Sequence, residues 1–197
     1  MSLSCRLAVA ALALALPLGA SAAQAPAAAP SAPQAVVETE AGSFLIRLRP
    51  ELAPSHVRHF VKTAKAGGYD GTAFHRLIPG GVIQGGDPLS KDPKQTARYG
   101  TGGLGLLQAE FSDAPFVRGV VAAVRKPSGK DSGGSQFFIC LRDQPALHRQ
   151  YTVFGEVASG MEVVDKLAET PVEGDKPTTR VVIRRITIPE KGEPARP

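Results

Sequence analysis

Residues 74–87, "FHRLIPGGVIQGGD", set Arg76 and Gln84 in an apolar frame, with His75 alongside and no hydroxyl or thiol anywhere in the stretch. A guanidinium offers five donors in a rigid fork, and a carboxamide both donates and accepts. Such groups bind and polarise, but they do not attack covalently. A second polar group stands in "SQFFIC", residues 135–140. Strand alternation there puts Ser135, Phe137 and Ile139 on one face and Gln136, Phe138 and Cys140 on the other. One face then carries an amide beside an aromatic ring, and a buried amide must find hydrogen-bond partners.

More familiar motifs fail on context. "GTGGLG", residues 100–105, matches the dinucleotide pattern letter for letter. That pattern works only after a buried strand and before a helix whose N-terminus holds a pyrophosphate. Here "KDPKQTARY" precedes it and "LLQAEFSDAP" follows, so a flexible-backbone loop is expected. His56 and His59 in "HVRH" are three apart, but no nearby Cys, Asp or Glu completes a metal set, and a solvated helix face is the expectation. Neither Ser135 nor Cys140 has a base attributable to it, so neither is read as a nucleophile.

The elements that must hold these residues are mostly strands. "VVETEAGSFLIRL", residues 36–48, alternates on both sides of "EAGS" and predicts a hairpin with one buried face. Val57, Phe60, Val61 and Ala64 recur at helical spacing between Pro54 and Gly67, predicting a helix buried on one side. Short apolar runs at residues 72–77, 82–84, 117–124, 136–141, 151–157 and 181–188 are separated by Gly- and Pro-rich turns. "MEVVDKLAE" alone interrupts them, as a second helix from about Met161. Many strands without βαβ alternation predict an antiparallel sheet closed on itself and capped by helices.

At the N-terminus, residues 7–18 form a short apolar run behind Arg6 and ahead of "ASA", the pattern of a secretory signal peptide over residues 1–22. Residues 23–35 are Ala- and Pro-rich and read as a disordered linker. Residues 36–188 make one domain with a sizeable core, and residues 189–197 a flexible tail. Cys5 lies in the signal segment, which leaves Cys140 alone and stability to packing. The formal charge of +5 is mild and its basic residues are dispersed among acids, which argues against nucleic acid.

Taken in order and spacing, "FHRLIPGGVIQGGD", "GTGG", "SQFFIC" and "YTVFGEV" resemble the cyclophilin family of peptidyl-prolyl cis-trans isomerases, in its bacterial exported branch. The resemblance spans residues 36–188. It implies a mainly β fold, a closed eight-stranded antiparallel β-barrel capped by two α-helices, with a substrate groove on the outer surface. It also implies an enzyme that accelerates X-Pro rotation with neither cofactor nor metal, while the signal pattern and the linker give the expectation of a periplasmic monomer without a membrane anchor, acting on exported polypeptides. Arg76 matches the family's catalytic arginine. Gln84 and Gln136 match groove-lining amides, Phe138 the floor of the proline pocket, and Leu147 its leucine. Val82 stands where Met is common, Tyr151 where His or Tyr is found, and Gly100 at the loop glycine beside a second pocket. Phe74, Val124 and Arg125 complete the implied substrate contacts.

Four departures accompany the match. Gly81 replaces a usual aromatic, Arg125 a common Asn, and Ala146 a common Trp or Phe, while "PLSKDPKQTARY" lengthens the loop before Gly100. Two other classes of function fit the same residues: a module that binds proline segments with little turnover, and a structural barrel with a degenerate groove.

Overall fold

The structure, a computed structural model, describes residues 32–190. The expected signal peptide, most of the expected linker and the tail from residue 191 lie outside the described residues. The first hairpin is present: β1 (Gln34–Thr39) pairs antiparallel with β2 (Gly42–Leu48). Its strand begins two residues before the expected start, with Ala35 fully buried, so Gln34 and Ala35 belong to the fold and not to the linker.

Helix α1 (Pro54–Lys65) follows, with Pro at its first position and Val57, Phe60 and Ala64 turned inward. The remaining strands are β3 (Ala73–Phe74), β4 (Arg76–Ile78), β5 (Val82–Gly85), β6 (Val120–Ala123), β7 (Phe137–Cys140), β8 (Val153–Ser159), β9 (Val172–Glu173), β10 (Lys176–Pro177) and β11 (Val181–Thr187). Helix α2 (Met161–Ala168) lies between β8 and β9 and buries Val163, Val164 and Leu167. The short β9–β10 hairpin had no sequence expectation.

Nine strands form one antiparallel sheet in the order β3-β11-β1-β2-β8-β6-β7-β5-β4. Its two ends, β3 and β4, are separated in sequence only by His75. Phe74 pairs with Val181 on one side, whereas Arg76 pairs with Gln84 on the other. The His75 amide also donates to the Gln84 carbonyl at 3.0 Å. The chain therefore passes from one sheet edge to the other within three residues, which closes the barrel and leaves neither edge free. Counting β3 and β4 as one kinked strand reconciles nine segments with the eight expected.

The barrel interior is an aromatic and aliphatic core. Phe137 sits at its centre, edge-on to Phe60, Tyr69 and Phe74 at centroid distances of 5.9 to 6.0 Å. A second apolar cluster lies outside the sheet and joins Val82, Phe116, Val120, Ala122, Phe138, Cys140 and Val153. Alternation divides β7 as expected, with Phe137 and Ile139 in the inner cluster and Phe138 and Cys140 in the outer. Strands β5, β6 and β7 are thus covered on both faces, which explains their unbroken burial.

The expected solvated face around His56 is not found. The Glu110 carboxylate, from a distant loop, accepts from the Ser55 and His56 amides at 3.0 Å each, and His56 Nδ1 lies 2.6 Å from Glu110 Oε2. The carboxylate thereby caps orphan amides of α1 that Ala53 cannot serve, and His56 is buried beneath it. His59 is half-buried. Among the described residues no cluster of three or more His, Cys, Asp or Glu is arranged for a metal.

Candidate active site

Register alone aligns the site. Arg76 on β4 faces Gln84 on β5, Gln84 faces Phe138 on β7, and Phe138 faces Ala122 on β6. A cation, an amide and an aromatic ring consequently stand in one row across the outer face of neighbouring strands. The kink at His75 makes this possible. Strict alternation would put Phe74 and Arg76 on the same face, yet Phe74 packs into the inner core and Arg76 points outward, 44% exposed.

Hydrogen bonds fix the row in direction as well as position. Gln136 Nε2 donates to the Gly102 carbonyl at 2.7 Å, and its Oε1 accepts from Gln84 Nε2 at 3.0 Å. Gln84 Oε1 is left to accept from Arg76 Nη1 at 3.4 Å. Because a carbonyl oxygen only accepts, the polarity of both amides follows from the Gly102 anchor. On its other side Arg76 Nε donates to Asp175 Oδ2 at 2.7 Å. Two of the three guanidinium nitrogens are occupied, and Nη2 has no partner among the described residues.

The Gly102 loop is itself anchored. The fully buried Asp87 carboxylate accepts from the amides of Leu89, Gly100 and Gly102. Gly103 and Gly134 approach so closely that a Cβ on Gly134 would lie 1.9 Å from the Gly103 carbonyl oxygen. "GTGGLG" is a docked loop that opens no helix, as its context suggested. The lengthened loop forms two 3-10 turns, Pro88–Lys91 and Pro93–Arg98, whose first amides are capped by Asp87 and Asp92. Arg180 holds it down by donating to the carbonyls of Gly71, Ser90 and Lys91.

Beside Arg76 lies the outer apolar cluster. Phe138 stacks on Phe116 at 6.4 Å and meets the Tyr151 ring edge-on at 5.3 Å, with Val82, Val124 and Leu147 around them. Arg125 lies 4.9 Å above the Tyr151 ring and donates Nε to the Gln150 carbonyl at 3.0 Å. Phe138, Tyr151, Val82, Val124, Leu147 and Arg125 line a groove of about 1160 Å³ that also takes in Arg76, Gln84 and Gly100, with Phe116 packed behind Phe138.

Ten of the eleven residues expected at the site therefore border one groove; Gln136 alone does not, being fully buried behind it and acting through Gln84. Phe74 is also fully buried, so it supports the groove from beneath. Ala146 is exposed on the turn Pro145–Leu147 and lies outside the lining. At Gly81 a Cβ would fall 2.8 Å from Ile78 Cγ2, so this backbone has no room for an aromatic unless Ile78 moves. Two residues were missed. Phe116 comes from a loop without periodicity, and Asp175 from a hairpin with two-residue strands, 99 positions from Arg76. Neither carries a local signal.

Protonation states match these roles. Burial pushes the Cys140 thiol up to about 12, with Asp143 adding to the effect, so it stays an unreactive thiol. The Arg76 hydrogen bond holds the Asp175 carboxyl below its ordinary value. Burial lowers His75 from its ordinary 6.5, with Arg76 acting in the same direction and Asp87 opposing. His75 is then neutral at pH 7, with Nε2 able to accept from Gln84 Nε2, 3.5 Å away.

Comparison with known proteins gives one consistent result. The model of the family described as "Cyclophilin type peptidyl-prolyl cis-trans isomerase/CLD" matches residues 35–188. A "Probable peptidyl-prolyl cis-trans isomerase" from Brucella suis biovar 1 (strain 1330) is 45% identical over 137 residues, 67% of this chain and 69% of its own. "Peptidyl-prolyl cis-trans isomerase-like 1" from Aspergillus fumigatus is 36% identical over 168 residues, 82% of this chain and 99% of its own. Among solved structures, a Cryptosporidium parvum cyclophilin-type isomerase crystallised in the presence of the dipeptide Ala-Pro superposes with a TM-score of 0.71 at 27% identity. That match covers 80% of this chain and 99% of the other.

A lowered His75 pKa predicts that, as pH falls below 6.5, the unfolded chain takes up this proton before the native state does, so stability declines with acidification. An imidazole NMR titration, assigned with His75→Gln, should give a midpoint below 6.5. A midpoint at or above 6.5 contradicts a neutral acceptor beside Gln84.

Proposed function

The chain belongs to the cyclophilin-type peptidyl-prolyl cis-trans isomerase family, and from that premise we propose that Arg76 accelerates X-Pro rotation by donating to the prolyl nitrogen as the amide twists. An X-Pro bond turns over a barrier of roughly 18–20 kcal/mol, which takes tens to hundreds of seconds unaided. No covalent bond is broken. Twisting removes amide resonance and returns a lone pair to nitrogen, so a donor aimed at that atom binds the twisted state better than either planar one. The observation that carries this reading is an Arg76 side chain held by Asp175 and Gln84 with Nη2 still unpartnered, beside an apolar pocket floored by Phe138.

The other groups serve geometry. Phe138, Val82 and Leu147 hold the proline ring, while Gln84 and the backbone at Val124 anchor the preceding peptide, so that rotation is confined to one side. The Arg76–Asp175 pair is about half-exposed, so it adds little to stability and acts by orienting the guanidinium. The same pair favours a second reading, a proline-binding module with little turnover, because it withdraws part of the cation's strength from the groove.

We further infer that the protein acts on exported polypeptides in the periplasm, as a monomer without a membrane anchor. The signal-type pattern over residues 1–22 supports export. No helix among the described residues is long and apolar enough to cross a membrane.

Removing Arg76 decides between turnover and mere binding. A charge-assisted hydrogen bond contributes about 1.5–3 kcal/mol, so Arg76→Ala should slow NMR-detected exchange of an X-Pro peptide by roughly ten- to 150-fold. Asp175→Asn should slow it less, in kcat more than in KM. Equal turnover of wild type and Arg76→Ala contradicts the mechanism, and a wild type that binds without turnover supports the second reading. For export, fractionation should recover a periplasmic protein whose N-terminus lies near Ala23. Recovery of uncleaved chain, or of protein only in detergent extracts, contradicts it.

A further inference from the structure

We propose that the groove selects proline-containing segments that carry acidic side chains flanking the X-Pro bond. The inference deepens the isomerase reading above and rests on it for the position of the bond.

The charges bordering the groove are unbalanced. Five cations, Arg76, Arg125, Arg142, Lys176 and Arg180, stand against two carboxylates, Glu173 and Asp175. Over the whole chain the ratio is only 23 to 18, so the groove is much more basic than the chain that builds it. Asp175 is already engaged by Arg76. Among the described residues the other four cations have no carboxylate within ion-pair distance, so no acid of this chain neutralises them directly.

All five border the groove that contains Phe138. Arg125 follows β6 and is fixed above Tyr151. Arg142 follows β7 at the turn before Val82, where a Cβ on Gly80 would lie 4.0 Å from its Nη1. Lys176 belongs to the hairpin that supplies Asp175 to Arg76. An extended peptide advances roughly 3.3 Å per residue, so with its proline over Phe138 the side chains within about three residues on either side reach this rim. Each exposed cation is screened over about 10 Å at 0.1 M salt and contributes modestly. Several of one sign around a single cleft sum, which raises the encounter rate of acidic segments and repels basic ones.

The test uses the intact folded protein and one X-Pro peptide made with Glu, Ala or Lys at two positions on each side of the bond. NMR exchange gives kcat/KM and titration gives Kd, at about 20 mM and about 500 mM salt. The Glu peptide should exceed the Lys peptide by about tenfold in kcat/KM at low salt, with Ala between, and the ratio should shrink at high salt. The double variant Arg142→Glu/Lys176→Glu should lower or invert it. A Glu-to-Lys ratio of one in both readouts, or a ratio indifferent to salt and to the double variant, overturns the proposal. Turnover of the Ala peptide alongside such a ratio leaves the isomerase reading standing. Tighter binding of the Glu peptide with no turnover of any peptide does the reverse, since charge selection then holds and the isomerase reading falls.

Discussion

The carbonyl oxygen of Gly102 accepts and cannot donate, and the polar side of the groove is built on that fact. It orients Gln136, which orients Gln84, which presents an oxygen to Arg76. Reversing any one amide would set donor against donor or leave a buried group unsatisfied, at a cost of about 1–3 kcal/mol. The anchor is held in turn by Asp87, whose buried carboxylate gathers three loop amides, and by the close seating of Gly103 on Gly134. A loop without regular structure therefore determines how a strand residue presents its charge.

The barrel supplies the other half of the geometry through a single break. At His75 the chain leaves its pairing with β11 and joins β5. This closes the sheet, sends Phe74 into the interior and turns Arg76 to the outside. Closure and function coincide in one residue, so the site sits on the most constrained part of the wall. Strands β5, β6 and β7 then carry apolar residues on both faces, one for the core and one for the groove floor. A site set on such a platform is held by packing that the fold requires anyway.

How much of this was legible in the sequence depended on the range of the interaction. Both helices, the first hairpin and the division of β7 into inner and outer faces follow from local periodicity, and each was readable. The kink at His75 was not, because alternation has no means of announcing a residue that pairs with two different strands. His56 was misread for a similar reason. Its helical position suggested solvent, but Glu110, more than 50 residues away, covers it to cap the helix. Within the site, Arg76, Gln84 and Phe138 were legible as residue types in motifs. Asp175, at the groove, and Phe116, buried behind Phe138, were invisible, because each comes from a short irregular segment whose place is set by tertiary contacts alone.

The central claim is that Arg76 works as the end of a directed chain and not as an isolated cation. It is tested most directly by Gln136→Leu, which breaks the chain two links away and leaves Arg76, Asp175 and the Phe138 pocket chemically intact. Exchange of an X-Pro peptide is measured by NMR at a temperature where circular dichroism shows the variant folded. The account predicts a fall in kcat of about tenfold, with KM little changed. Wild-type turnover in the folded variant would contradict it, since Arg76 would then need no anchor beyond its own strand and Asp175.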